Sequence, residues 1–235
     1  MLKNFFPYKI ISLSNKAVNS LIALLVVLVI FGLLYSLVLS PPDYIQGDVV
    51  RIMYVHVPSA WMGLACFAII AFLSILNFLF KIKNFYLISK SIAPIGLLFT
   101  SLAIVTGSLW GQPTWGTWWA WDARLTSMIV LMVFYVLYIL SFKLIKNEEL
   151  LLKTSSFLAI IGSINLPIIK YSVDWWSTLH QPASIKLGNS NSIHPSMMLP
   201  LMLMLLVLLL YGALIFLMKY KTEIIRMKKK NIKRL

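Results

Sequence analysis

From Leu21 to Leu39 the chain runs nineteen residues without a charge, and five further apolar runs of similar length follow it. A helix rises about 1.5 Å per residue, so about 20 such residues cross the ~30 Å hydrocarbon core of a bilayer. Hydrocarbon offers no partner for a backbone N–H or C=O, so a segment that crosses it must satisfy its own hydrogen bonds as a helix. These runs predict an all-α polytopic membrane protein, a single membrane domain over 1–235, with six transmembrane helices at Leu21–Leu39, Ala60–Phe80, Ser91–Leu109, Leu125–Phe142, Leu151–Ile169 and Met197–Met218. Composition agrees: 60% of residues are hydrophobic and 12% charged, against roughly 25% charged in soluble domains.

Two spans need argument. The first follows Lys3, Lys9 and Lys16, as the core of a secretory signal would. It is long for such a core and ends in Leu39, Ser40, Pro41 and Pro42 where a small-residue cleavage site belongs. It is therefore expected to be retained as a span. The fifth is interrupted by Asn165 and Pro167, and neighbouring helices are expected to satisfy the backbone groups that this proline frees.

Charge sets the orientation, because Lys and Arg collect in short loops on the cytoplasmic side. Seventeen of the 21 basic residues fall before the first span, in Lys81–Lys90, in Lys143–Lys153, or from Lys219 onward. The opposite face has only Arg51, Arg124, Lys170 and Lys186, balanced by Asp43, Asp48, Asp122 and Asp174. Both termini are thus expected on the cytoplasmic side, or the matrix side in a mitochondrion. The net charge of +14 needs no nucleic acid to explain it; topology and attraction to anionic inner-leaflet lipid suffice. The basic tail Lys219–Arg234 reads as the solvated or lipid-contacting end of the last helix.

Several chemistries are excluded at once. Cys66 is the only cysteine and lies inside the second span, so the chain has no internal disulfide, no CxxC thiol pair and no CxxCH haem attachment. It reads as a small buried apolar residue. No GxxxxGK[ST] loop is present, so an ATP-driven step would belong to a partner.

The outer segments Ser40–Ser59, Trp110–Arg124 and Lys170–Ser196 contain most of the remaining chemistry. All eight tryptophans and all three histidines, His56, His180 and His194, fall on this face or at its membrane edge. Five of the tryptophans crowd into WGQPTWGTWWAW, Trp110 to Trp121. One reading is an interfacial aromatic belt. Belts normally occupy both interfaces, and the inner helix ends here have Phe and Tyr but no Trp. The other reading is a platform for a large planar ligand, since indole faces stack and keep an N–H for orientation; Gly107, Gly111 and Gly116 give it room to turn.

Asp122 is placed to cap the fourth span. Arg124 is placed to pair with Asp122 or to fork onto a carboxylate of a ligand. A lone loop histidine is usually a hydrogen-bonding surface residue. His56 and His180, however, lie on different outer segments at the membrane boundary, each followed two residues later by proline, Pro58 or Pro182. Placed on either side of the Trp segment, they have the arrangement of imidazoles for opposite faces of a metal-centred ring, and histidine is a common axial ligand of haem iron. His194 begins the last span and is a third candidate ligand, although a capping or interfacial role suits it better. Zinc centres take three or four protein ligands, and no HxxxH or HExxH spacing supports one.

The strings RIMYVHVPSAWM (Arg51–Met62), WGTWWAWDARLTS (Trp115–Ser127) and SVDWWSTLHQ (Ser172–Gln181) resemble haem exporter protein C, the CcmC family of the cytochrome c maturation system. They occur in three separate outer segments in that family's order, in a chain of its length and layout. Larger relatives with the same tryptophan-rich signature, the haem lyase subunit and the system II synthetase, are longer. The resemblance implies a protein of the bacterial or mitochondrial inner membrane that handles haem b as transported ligand on the periplasmic or intermembrane face.

It also implies a site: His56 and His180 as axial ligands of the iron, and the loop residues Trp115, Gly116, Trp118, Trp119, Trp121 and Asp122 against the haem. Its implied partners are a membrane-anchored haem chaperone, an ABC-type ATPase, a permease-like subunit and a small membrane peptide. With Arg124 and Arg51 as candidates for the haem propionates, the expected role is a binding and transfer platform, an enzyme only in so far as it promotes haem attachment to the chaperone. Two rival readings remain at this point. One is a permease subunit moving haem or another solute, for which no intramembrane charge pair marks a path. The other is a b-type redox protein, which would normally place its histidines inside the spans.

Overall fold

The computed structural model describes residues 15–80, 83–181 and 193–232, so Lys3, Lys9, Lys81, Pro182, Lys186, Lys233 and Arg234 lie outside the described residues. Every extended element among those described is a helix: α1 (Asn15–Leu34), α2 (Met53–Phe80), α3 (Lys83–Trp115), α4 (Ala123–Leu144), α5 (Glu148–Ser163), α6 (Asn165–Trp175) and α7 (Pro195–Ile232). A π turn at Tyr35–Leu39 extends α1, and a 3-10 turn at Asp48–Ile52 leads into α2. Among the described residues six helical stretches are long and apolar enough to cross a membrane, α5 and α6 together forming the fifth.

Asn165 and Pro167 break the fifth stretch as expected, but the helix resumes immediately. Pro167 falls in the first turn of α6, where a missing N–H costs no intrahelical bond. The buried Asn165 amide donates to the Ser127 carbonyl of α4 at 2.7 Å, so the break is tied to a neighbouring helix. Asn147 starts α5 by accepting from the Leu150 N–H at 3.0 Å.

The core is built where small residues let backbones approach. On the α2–α3 seam, a methyl on Gly63 would fall 2.6 Å from the Thr100 hydroxyl. Nearby the Tyr135 hydroxyl of α4 donates to the Gly63 carbonyl at 2.7 Å, and a methyl on Gly96 of α3 would collide with that tyrosine. In lipid, where apolar surface gains nothing by leaving water, such close packing and interhelical hydrogen bonds drive association. Cys66, Phe67, Ile70, Ala93, Leu131 and Tyr135 fill the space around them, and Cys66 is a free, buried thiol as its position predicted. α1 lies at the edge with most of its apolar side chains exposed and meets α7 at Gly32, against Met204 and Val207. At the far end Lys90 of α3 pairs with Glu223 of α7 at 2.6 Å, and Glu223 with Arg226 at 3.0 Å.

The helices run past the membrane edges that hydropathy marks. His56 belongs to α2, and Trp110 and Trp115 to α3, where the sequence suggested loops. The charge-poor core ends where lipid ends; a helix ends where its backbone is capped. For α3 the cap is Gly116, with φ +76° and its N–H donating to the Gln112 carbonyl at 3.0 Å, the left-handed residue that closes a helix and favours glycine. Pro58 likewise stiffens no loop. It is buried inside α2.

Tyr135→Phe should cost about 1 kcal/mol for the lost buried hydrogen bond, and Gly96→Ala about 1–3 kcal/mol for overpacking. Thermal unfolding in detergent should show the double variant losing less than the sum of the two, because a methyl at Gly96 meets both the ring and the hydroxyl of Tyr135 and already displaces the hydroxyl from Gly63. Simple additivity of the two losses would contradict this packing.

Candidate functional site

His56 is held from the α3 side. Its Nδ1 lies 2.9 Å from the Ala103 carbonyl and 3.2 Å from the Thr106 hydroxyl. A carbonyl only accepts, so Nδ1 carries the proton and donates. The Thr106 hydroxyl gives its own proton to the Leu102 carbonyl at 2.7 Å and is free to accept as well. The tautomer is thereby fixed with a lone pair on Nε2, the state that binds a metal ion. Gly107 makes room for the ring: a Cβ there would stand 2.8 Å from His56 Cε1. Trp110, one turn below the end of α3, meets the imidazole edge-on at 5.7 Å between ring centres, and its indole N–H donates to Gln46 at 2.8 Å.

His180 arrives from the segment after α6. That helix ends with Trp176 N–H on the Ser172 carbonyl at 2.9 Å, and Thr178 folds the next residues back, its hydroxyl accepting the His180 N–H at 3.2 Å in a short side-chain turn. The His180 ring centre lies 6.4 Å from that of His56, with 34° between the planes, and 6.0 Å from that of Trp115. Two imidazoles sharing one metal ion through bonds of about 2.0–2.1 Å have ring centres roughly 6 Å apart. The expected histidine pair is therefore brought together from positions 124 residues apart in sequence, at a ring-centre spacing compatible with joint ligation.

His180 Nδ1 has two neighbours. It is 3.0 Å from the Gln181 carbonyl and 3.2 Å from Arg124 Nη1. The same guanidinium donates from Nε to Ser172 Oγ at 3.1 Å and from Nη2 to the Lys170 carbonyl at 3.1 Å, and so ties the start of α4 to the end of α6. Burial pushes His180 below the ordinary histidine value of 6.5; the Gln181 carbonyl pulls it back, and the charge on Arg124 pushes it down further. The imidazole is neutral at neutral pH.

The tryptophan loop is pinned to α3 by Ser108 Oγ donating to the Trp118 carbonyl at 2.7 Å, and folded by Thr117 donating to the Trp119 carbonyl at 2.9 Å. Its indoles divide. Trp115 packs beside His180, held close to its helix because Gly111 leaves space under the ring. Trp119 meets Trp121 edge-on at 5.7 Å, and its buried N–H has no partner. Trp118 and Trp121 are 59% and 80% exposed. Asp122 caps α4, with Oδ1 accepting from the Leu125 N–H at 2.8 Å, while its buried Oδ2 is without a partner.

The remaining outer residues make contacts of their own, and His194 has the capping role expected of it. Arg51 donates to the Leu37 and Ser40 carbonyls at 2.7 and 3.1 Å and pairs with Asp48 at 3.0 Å, closing the C-terminal end of α1; only its buried Nε lacks a partner. His194 caps α7, its Nδ1 accepting from Ser196 Oγ at 2.7 Å and from Ser196 N–H at 3.3 Å. Trp175 and Trp176 lie exposed beyond the site.

Ala103, Thr106, Ser172 and Gln181 were not foreseen. Three act through backbone carbonyls or a small hydroxyl, which leave no residue-type signature; only Thr106 beside Gly107 hints at a site. Among the described residues no three His, Cys, Asp or Glu side chains converge as a metal cage would require. What converges instead is a pair of imidazoles with the Trp110 and Trp115 indoles beside them.

A sequence model of the family described as "Heme exporter protein C" matches residues 2–234. The chain is 37% identical to Heme exporter protein C of Bradyrhizobium diazoefficiens over 220 residues, 94% of this chain and 83% of that one. It is 41% identical to Heme exporter protein C of Escherichia coli K12 over 205 residues, 87% and 82% of the two chains. It is 40% identical to a putative cytochrome c biosynthesis ccmC-like mitochondrial protein of Marchantia polymorpha over 168 residues, 72% and 71%.

The direction of the His180 shift has a consequence for pH. A base with a folded pKa below its unfolded value costs no stability while both states are neutral; as pH falls through 6.5 the unfolded chain binds the proton first and the fold loses stability. Histidine-selective NMR should place the His180 midpoint below 6.5. A midpoint at or above that value would contradict its burial beside Arg124.

Proposed function

The chain belongs to the Heme exporter protein C family, and from that premise we propose that it holds haem b at the outer face of the inner membrane and passes it to a membrane-anchored chaperone for c-type cytochrome biogenesis. Both termini lie on the basic, cytoplasmic or matrix side. The observation that carries the reading is the His56–His180 pair at 6.4 Å, with the His56 proton fixed on Nδ1.

His56 Nε2 and His180 bind the iron from opposite faces. Trp115, Trp118, Trp119 and Trp121 cover the porphyrin around Gly116, where the left-handed turn swings the chain out of α3. Removing the ring's apolar surface from water supplies about 25 cal/mol per Å2, while the histidines fix orientation and govern release. Arg124 forks onto a propionate, and Arg51, bonded through both Nη atoms to the end of α1 and to Asp48, is the more distant candidate for the second. The Asp122 carboxylate shapes this loop as the cap of α4. The exposed indoles Trp118 and Trp121 form the side on which the chaperone meets the haem edge.

On this reading the protein is a binding and transfer platform rather than an enzyme. Energy for any ATP-driven step comes from an ABC-type ATPase acting with a permease-like subunit and a small membrane peptide, since this sequence has no phosphate loop of its own.

The full chain, expressed without partners and purified in detergent, should carry a Soret band. His56→Ala and His180→Ala should each shift or abolish it, and Trp118→Ala with Trp119→Ala should lower haem occupancy with membrane insertion intact. A haem spectrum unchanged from the wild type in both histidine variants would sink the two-ligand reading.

A further inference from the structure

A neutral imidazole has one N–H, and His180 Nδ1 faces two partners that demand opposite things of it. The Gln181 carbonyl at 3.0 Å can only accept, so that bond needs the proton on Nδ1. Arg124 Nη1 at 3.2 Å can only donate, so that bond needs a lone pair on Nδ1 and puts the proton on Nε2. In the second state Nε2 has no electron pair for a metal ion. His56 faces no such choice, because both of its Nδ1 partners accept.

We propose that Arg124 is a positioning residue which withholds His180 Nε2 from iron until a carboxylate of the porphyrin draws its guanidinium away, so that ligation on this face follows recognition of the haem edge. The inference rests on the two-histidine reading and adds an order to it. Without ligand, the charged guanidinium makes the stronger, charge-assisted bond to the Nδ1 lone pair. A propionate arriving at Arg124 recruits Nη1 for a forked carboxylate bond. The proton on Nε2 then leaves to solvent while another arrives on Nδ1 to bond Gln181, with no net change of charge, and Nε2 is free to coordinate. His56 is ready throughout, so iron is taken first on the α2 face and sealed second on the loop face. The Ser172 and Lys170 bonds, made by Nε and Nη2 of the same planar guanidinium, hold it beside His180 without ligand and loosen together with the Nη1 bond as the group turns to the carboxylate.

The chain has only three histidines, so the tautomer can be read directly by 15N NMR of the full-length, haem-free protein labelled at histidine. His180 should have its proton on Nε2, and Arg124→Met should move it to Nδ1. A wild-type His180 protonated on Nδ1 would overturn the proposal without reference to haem or to the folding of any variant.

The second arm adds ferric haem or its dimethyl ester to the purified protein and follows absorption and EPR. Haem should give a low-spin, six-coordinate complex. The ester, which has no carboxylate for Arg124, should give the high-spin signature of His180→Ala, and Arg124→Met should restore low spin with the ester. A low-spin ester complex in the wild type, lost in His180→Ala, would refute the coupling while leaving both ligands in place. A haem spectrum indifferent to His180→Ala would instead refute the two-histidine reading itself, and the ordering with it.

Discussion

Where α2 and α3 cross, glycine and side chain alternate between the helices. Gly63 of α2 faces Thr100 of α3, and Gly107 of α3 faces His56 of α2. His56 and Gly63 are seven residues apart, as are Thr100 and Gly107, which is two helical turns and therefore one face of each helix. Every other feature of the site depends on this seam. It brings the Ala103 carbonyl within reach of His56 Nδ1 and fixes the Nε2 lone pair. It also sets the height at which α3 delivers Trp110 and Trp115 beside the two imidazoles. Because lipid supplies no hydrophobic drive between helices, a seam of this kind depends on close backbone approach and on bonds such as Tyr135 to Gly63.

The second half of the site is made differently. Short segments leave α3 and α6 and are folded by a threonine two residues before the functional ring, Thr117 before Trp119 and Thr178 before His180. Arg124 joins the two halves, standing at the start of α4 with its three nitrogens on α6 and His180. One histidine comes from a helix and the other from a segment whose hydrogen bonds have two solutions. That asymmetry is what the proposed platform, which must both hold its cargo and let it go, would need.

Much of this was legible in the sequence because bilayer thickness and charge leave few choices. The six apolar helical stretches follow from run length, the α5–α6 break from Asn165 and Pro167, and the α4 start from Asp122. Helix ends were less legible. A drop in hydropathy marks the edge of lipid, so His56, Trp110 and Trp115 read as loop residues although their helices continue past that edge. The partners that decide chemistry were least legible of all: Ala103 and Gln181 act through carbonyls common to all residues. The Arg124–His180 bond spans 56 positions, and Arg124 had Asp122 as a nearer and more obvious partner.

The central claim is that one iron is bound by two histidines brought together from α2 and from the segment after α6. Pulsed EPR of the ferric haem complex, with 15N confined to histidine, reads those ligands directly. The account predicts strong coupling to two imidazole nitrogens, one lost in His56→Ala and the other in His180→Ala. Coupling to a single histidine, or a pattern unchanged in both variants, would contradict it.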